Sequence, residues 1–211
     1  MRFRNRVDAG QQLAVRLSRL SPADLVAVGM PRGGVPVAAE IALALQIPLD
    51  VVIVRKLGVP THRELAMGAI GEDGVRYIDE EIVTAFGITA DQIATVERIE
   101  RVELQRRSST YRQGAPRVSL NPKTVLVVDD GTATGSSARV ACRVVRAYGA
   151  HRIVLAIPIA SPGWDRALNN EADEFVALAE QDFGAVGELY DNFDATSDAE
   201  VIRCLERVRE H

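Results

Sequence analysis

Two adjacent carboxylates, Asp129 and Asp130, stand where an apolar run ends and a loop rich in hydroxyl groups begins. The run at 125–128 has the composition of a buried strand, and a helical pattern occupies 137–148. Carboxylates placed in this way can hold sugar hydroxyls or a hydrated Mg²⁺, while N–H groups at a helix N-terminus can bind a phosphate. The segment therefore predicts a sugar-phosphate site.

Several other nucleotide and catalytic motifs are absent from the chain. It has no Gly-Lys-[Ser/Thr] phosphate loop, no Gly-x-Gly-x-x-Gly dinucleotide fingerprint and no Gly-x-Ser-x-Gly nucleophile turn. A dehydrogenase and an α/β hydrolase therefore rank last as hypotheses. The alternative without a ligand-binding role is an ordinary strand-to-helix turn interrupted by Asp-Gly.

Residues 125–137 resemble the 5-phosphoribosyl-1-pyrophosphate (PRPP) signature of the type I phosphoribosyltransferases. The positions that fit it are Asp129, Asp130, Ala133, Thr134, Gly135 and Ser137, whereas Gly131 and Thr132 depart from the family's usual apolar pair. The resemblance implies that the acidic pair is catalytic, fixing the ribose hydroxyls, and contacts Mg²⁺ directly or through water. It places the 5-phosphate on Thr132, Ala133, Thr134, Gly135, Ser136 and Ser137.

The turn at 31–34 is similar to the pyrophosphate loop of the same family. Its glycines expose N–H groups, and Arg32 offers a planar fork suited to phosphate oxygens. The resemblance implies a cis peptide within 31–34. It also assigns the pyrophosphate to Arg32, Gly33, Gly34, Arg55 and Lys56, with Lys56 counted among the catalytic residues.

Two further parts of the site follow from the resemblance. Residues 57–66 correspond to a mobile loop that closes over the substrates, with His62, Arg63 and Glu64 as candidate contributors. The aromatic side chains Trp164, Phe183 and Tyr190 could stack on a base, but the alternative is that they form a small hydrophobic core. Nothing in this region separates a purine from a pyrimidine.

Buried apolar strands alternate with helices along the chain, which predicts an α/β fold with a central parallel sheet and helices on both faces. We expect one domain over 1–211, with a small hood contributed by the irregular segment 161–193. Strands are predicted at 25–29, 49–54, 125–128 and 153–157, and a hairpin at 67–78. A capping box at Thr89 predicts a helix to about Arg112, with Ile93, Val96, Ile99 and Val102 on one face.

The bulk composition limits the classes of partner and location. A net charge of −4 provides no general attraction for nucleic acid, and no apolar run is long enough to cross a membrane. Two cysteines without metal-ligand spacing, and no visible signal peptide, lead us to expect a cytoplasmic protein.

The resemblance extends over about residues 5–205 and is to an uncharacterised branch of the family. It implies Mg²⁺-dependent transfer of the 5-phosphoribosyl group from PRPP to a nitrogen base, with release of pyrophosphate, and it is compatible with a homodimer. The alternative is a regulatory protein that senses PRPP without catalysis. The base, the retention of activity and the oligomeric state are not determined by the sequence.

Overall fold

The computed structural model describes residues 1–132 and 135–211, with the backbone only at Pro22, Glu64 and Ser136. The helices in these ranges are α1 (Arg6–Leu17), α2 (Gly34–Leu45), α3 (Glu80–Ala85), α4 (Ala90–Arg112), α5 (Ser136–Ala147), α6 (Trp164–Ala167) and α7 (Asp198–Arg209). The strands are β1 (Leu25–Gly29), β2 (Leu49–Val51), β3 (Val54–Val59), β4 (His62–Gly71), β5 (Arg76–Ile78), β6 (Thr124–Val128), β7 (Arg152–Ala160) and β8 (Glu174–Glu180). None of these helices is both long and apolar enough to span a bilayer.

Five parallel strands form the central sheet in the order β2-β1-β6-β7-β8. Alternate residues of β6 enter two different cores: Leu126 packs with residues of α1, α2, α4 and α7, and Val127 packs with residues of α5. The predicted fold class, a parallel sheet with helices on both faces, is confirmed. Gly29 pairs with Val128, so β1 and β6 end level with each other.

A separate antiparallel sheet contains β3, β4 and β5, and it corrects two predictions. The second parallel strand ends at Val51, so Arg55 and Lys56 lie inside β3 and not at a parallel strand end. Residues 57–66 contain the end of β3, a tight turn and the start of β4, so they form part of a hairpin in place of the predicted loop. Leu57 and Val59 are buried there, and a register shift beside Gly58 interrupts the alternation that would have revealed the strand. The predicted hairpin between β4 and β5 is confirmed.

The segment 161–193 is more regular than predicted. It contains β8, which pairs with β7 at the edge of the central sheet, so this part does not belong to a separate hood. Glu174 and Glu180 stand at the two ends of β8, and the strand is only partly buried. An edge strand with polar ends resembles a loop in sequence, which explains the error.

Helix α4 begins at the predicted capping box, and Glu97 and Glu103 form i,i+4 ion pairs with Arg101 and Arg107. The prediction that four apolar residues of α4 share one buried face was only partly correct. Ile93 is buried, whereas Ile99 and Val102 are 59% and 67% exposed. A spacing of three residues falls short of one turn, so each step rotates the position by about 60° and three steps carry it to the opposite side.

Helix α1 packs closely on α2 through Gly10. A Cβ at Gly10 would lie 2.7 Å from the carbonyl oxygen of Val37 and 2.8 Å from Cβ of Glu40. The absence of a side chain therefore sets the distance between the two helices. Arg6 lies one turn before Gly10 on α1, and α2 begins at Gly34, the last residue of the turn at 31–34.

A buried charge cluster fixes the end of α4 to the central sheet. Arg112 donates from Nε to Asp50 at 3.0 Å and from Nη2 to the carbonyl oxygen of Val51 at 3.1 Å, and it also contacts Glu72. The Arg112 and Asp50 side chains are 6% and 2% exposed. Loss of the guanidinium would leave two carboxylates without their shared counter-charge.

We predict that Arg112→Met lowers the free energy of unfolding by about 3–5 kcal/mol, because a buried carboxylate without its partner is strongly destabilising. The measurement is urea unfolding followed by circular dichroism. Arg101→Met, which removes a partly exposed i,i+4 pair with Glu97 on the helix surface, is the matched control and should cost at most about 0.5 kcal/mol. Equal losses in the two variants would contradict a special role for the buried cluster.

Candidate active site

The turn after β1 lies directly against the acidic pair at the end of β6. The N–H of Met30 donates to the carbonyl oxygen of Val128 at 2.9 Å. A Cβ on Gly33 would lie 1.9 Å from Oδ2 of Asp130, and one on Gly34 would lie 2.5 Å from the carbonyl oxygen of Val128. Gly33 has an ordinary φ of −65°, so close approach, and not backbone conformation, requires glycine there.

The peptide bond between Pro31 and Arg32 is cis, as the resemblance predicted for this turn. Arg32 itself is 51% exposed, and its Nη1 lies 3.8 Å from a carboxylate oxygen of Asp198 at the start of α7. The predicted pyrophosphate turn therefore presents its one side-chain cation to solvent beside the acidic pair.

The two carboxylates occupy different electrostatic environments. Asp129 accepts the backbone N–H of Asp130 at 2.9 Å, whereas Oδ2 of Asp130 accepts Nε of Arg6 at 2.7 Å. Burial and the adjacent charge of Asp130 raise the pKa of Asp129 well above its ordinary value. Asp130 is thus in direct contact with a guanidinium, whereas Asp129 accepts a backbone N–H, so the two carboxylates are not equivalent.

Arg6 is a residue that the sequence did not identify. Its guanidinium lies 3.8 Å from the centre of the Phe193 ring and donates from Nη1 to the carbonyl oxygen of Asp194 at 2.8 Å. The Arg6 and Asp130 side chains are only 12% and 15% exposed. The basic N-terminal stretch was the only local signal, and it does not point to a carboxylate 124 residues away.

A short pairing between the N-terminal residue Phe3 and the segment 189–191 lies against the acidic pair. The N–H of Phe3 donates to Leu189 at 2.9 Å, and that of Asp191 donates to Phe3 at 2.8 Å. The hydroxyl of Tyr190 donates to the carbonyl oxygen of Asp130 at 2.6 Å. Burial raises the pKa of Tyr190, so the hydroxyl keeps the proton that it donates.

The three aromatic residues predicted for a base pocket lie in packed clusters. Trp164 is 3% exposed, meets Phe175 edge-on at 5.4 Å and donates from Nε1 to Glu180 at 3.3 Å. Tyr190 is 2% exposed, and Phe183 packs against the cluster that contains it. The structure therefore corrects the base-pocket hypothesis in favour of its alternative for Trp164 and Tyr190, because neither presents an open ring face.

The turn predicted to hold the 5-phosphate is organised by Thr132. Its N–H donates to Ile159 at 3.0 Å, and its buried hydroxyl accepts the N–H of Gly135 at 3.0 Å. Thr132 therefore anchors the turn through one hydrogen bond to β7 and one within the turn. An apolar residue at this position would anchor the turn by packing. Ser136 and Ser137 open α5. Ala133 and Thr134 lie outside the described residues.

The remaining predicted side chains belong to the antiparallel sheet. Arg55 donates from Nε to Glu100 of α4 at 2.6 Å, and Lys56 is exposed on β3. His62 contacts the ring of Phe86 at 5.5 Å, and Arg63 is exposed. The side chain of Glu64 lies outside the described part of the structure. Arg55 therefore forms its ion pair with Glu100 of α4 and not with the turn at 31–34.

Comparisons with known proteins identify the family. The phosphoribosyl transferase domain family matches residues 4–186. Two Mycobacterium tuberculosis proteins, from strains CDC 1551 and H37Rv, have names that assign them provisionally to the phosphoribosyl transferases. Each is 50% identical to this chain over 206 residues, which is 97% of this chain but 46% of the relative. The chain thus spans less than half the length of these relatives.

A solved structure extends the likeness to three dimensions. The crystal structure of TT1426 from Thermus thermophilus is 39% identical, covers 98% of this chain and 99% of its own, and superposes with a TM-score of 0.88. The family match over most of the chain, together with this fold, defines a phosphoribosyltransferase-type protein. The chain belongs to the type I phosphoribosyltransferase family, in its uncharacterised branch.

We predict that Gly33→Ala destabilises the protein by about 1–3 kcal/mol, because the added methyl group overpacks the contact with Asp130. Thermal unfolding of the variant and the parent provides the measurement. Asp130→Ala should make the site tolerant of the same glycine change, since it removes the carboxylate that the methyl group meets. A loss for Gly33→Ala that is the same in both backgrounds would place the clash elsewhere.

Proposed function

We propose that the chain transfers the 5-phosphoribosyl group of PRPP to a nitrogen base and releases pyrophosphate. The observation that supports this most directly is the contact of two turns from neighbouring parallel strands: Gly33 of one touches Asp130 of the other. A diphosphate subsite beside a pair of carboxylates, with a phosphate subsite at the start of α5, matches the three charged or polar parts of PRPP.

Each part of the site has a distinct role in this proposal. Asp129 and Asp130 hold the ribose hydroxyls, the turn at 31–34 and Arg32 bind the diphosphate, and the turn at 132–137 binds the 5-phosphate. A base nitrogen attacks C1 as the bond from C1 to the pyrophosphate oxygen breaks, through a transition state with oxocarbenium character. The protein contributes alignment of the reacting atoms and stabilisation of the charge that develops on the leaving group.

Mg²⁺ fits this site as a partner of the substrate. In the described residues no group of three or more His, Cys, Asp or Glu side chains could hold a metal ion alone. Asp129 and Asp130 are two oxygen donors, and Mg²⁺ in phosphate-transfer sites is usually held by one or two carboxylates together with substrate oxygens and water. When bound, Mg²⁺ would neutralise charge on the diphosphate.

The second substrate, the oligomeric state and the location of the protein complete the proposed function. Two of the three residues expected to stack on the base, Trp164 and Tyr190, are buried, and Phe183 is partly buried. A homodimer and a cytoplasmic location stay predictions. A regulatory protein that binds PRPP without turnover is the alternative, and it shares the binding site but not the chemistry, so only an assay of released pyrophosphate distinguishes the two.

We predict that PRPP and ribose 5-phosphate bind in the presence of Mg²⁺, and that PRPP with a suitable base yields pyrophosphate. Isothermal calorimetry measures binding, and a coupled pyrophosphate assay over a panel of purines, pyrimidines and simple amines measures turnover. Binding without turnover on any base would favour the regulatory alternative. Absence of binding for both ligands at millimolar concentration would falsify the proposed function.

We further predict that Asp129→Asn and Asp130→Asn each weaken PRPP binding or turnover by roughly ten- to a hundredfold. The reason is that a hydrogen bond to a charged group contributes about 1.5–3 kcal/mol. Circular dichroism should show that both variants remain folded. If both bound and turned over PRPP like the parent, the acidic pair would be structural.

A further inference from the structure

Asp198, the first residue of α7, lies between two arginines from different parts of the chain. Its Oδ1 is 3.8 Å from Nη1 of Arg32 in the turn after β1, and its Oδ2 is 4.0 Å from Nη1 of Arg106 on α4. Both arginine side chains are about half exposed, at 51% and 52%. One carboxylate therefore faces two cations at distances longer than a hydrogen bond.

Two of these three charged groups are fixed by other contacts. Tyr111, which is 1% exposed, donates its hydroxyl to Oδ1 of Asp198 at 2.9 Å. Arg106 donates from Nε and Nη2 to Glu103 at 2.8 and 2.9 Å, which leaves Nη1 directed at Asp198. Arg32 has only the 3.8 Å approach to Asp198 among the ion pairs of the described residues. Arg32 is therefore the partner that is free to move.

The charges at this point favour an incoming anion. Glu103 already neutralises Arg106, so Arg32 is the cation beside the turn at 31–34 that an incoming anion can take over. An exposed ion pair at this distance contributes little, so its exchange for a multiply charged ligand costs little. Because Arg32 stands in the turn assigned to the diphosphate, the carboxylate of Asp198 and the diphosphate would compete for the same guanidinium.

Building on the proposed function, we propose that Asp198 is a positioning residue that acts as an internal substitute for the diphosphate. It holds Arg32 beside the turn in the absence of ligand and gives it up when the diphosphate binds. Tyr111 keeps the carboxylate in place during the exchange. Arg106 remains on Asp198 and offsets its charge after Arg32 has left.

Because Asp198 and the diphosphate compete for Arg32, removing the charge of Asp198 should raise the affinity for pyrophosphate. Asparagine has the shape of aspartate and its amide oxygen can still accept the hydroxyl of Tyr111, but it carries no charge to compete with the ligand. Asp198→Asn should therefore bind pyrophosphate more tightly than the parent. A residue that served only to support the fold would weaken binding or leave it unchanged when replaced.

The test compares the affinities for Mg²⁺-pyrophosphate and for ribose 5-phosphate, measured by calorimetry on the full chain. We expect Asp198→Asn to bind pyrophosphate about two- to fivefold more tightly, the range expected for release of an exposed ion pair, with ribose 5-phosphate unchanged. Asp24→Asn is the matched control: it removes one negative charge just before β1, at the opposite edge of the sheet, and should change neither affinity. Asp198→Ser provides a second uncharged variant should the asparagine variant fold poorly.

A double-mutant cycle with Arg32→Gln assigns the effect to the exchange. In the Arg32→Gln background, Asp198→Asn should lose at least half of its tightening, because no guanidinium remains to be released. Equal tightening in both backgrounds, or unchanged or weaker binding in Asp198→Asn, would overturn the inference while leaving the proposed function intact. A parent protein that binds PRPP but not pyrophosphate would overturn the inference alone. A parent protein that binds none of pyrophosphate, PRPP and ribose 5-phosphate would overturn both.

Discussion

The contact between the turn at 31–34 and the acidic pair is the constraint on which the rest of the site depends. Strands β1 and β6 are neighbours whose last residues, Gly29 and Val128, are level, so the turns that follow must meet. They meet more closely than any side chain on Gly33 would allow. As a result, Asp130 is touched by groups from distant parts of the chain, with Arg6 on its carboxylate and Tyr190 on its carbonyl oxygen. The proposed diphosphate and ribose subsites therefore form one packed unit and are not separable.

Much of the fold could be predicted because its signals are local. The residues of β1 are apolar throughout, the capping box at Thr89 starts α4, and Ser197 caps the last helix. The failures have non-local causes. The hairpin of β3 and β4 buries one face with an interrupted alternation, and β8 is an edge strand whose burial depends on its neighbour.

The candidate site divides in the same way. The proximity of the acidic pair to the glycine turn could be predicted from the sequence, because the carboxyl ends of adjacent parallel strands meet at one edge of the sheet. Arg6 could not, since its partner is 124 residues away and no pattern links them. Similarly, Tyr190 is one aromatic residue among several in a stretch without a regular pattern. Only the fold shows that its hydroxyl reaches the backbone of Asp130, and that the Trp164 ring is buried against Phe175.

The close packing of α1 on α2 has a consequence for how this site can evolve. Gly10 contacts the backbone of α2 and no charged part of the site, yet it sets how near α1 can lie. Arg6 stands one turn away on the same helix and reaches Asp130 from it. A methyl group at position 10 would lift the helix and draw the guanidinium from the carboxylate. Selection that preserves the contact of Arg6 with Asp130 would therefore also preserve Gly10, although Gly10 lies outside the acidic pair. Positions 6 and 10 would then be free to change only together.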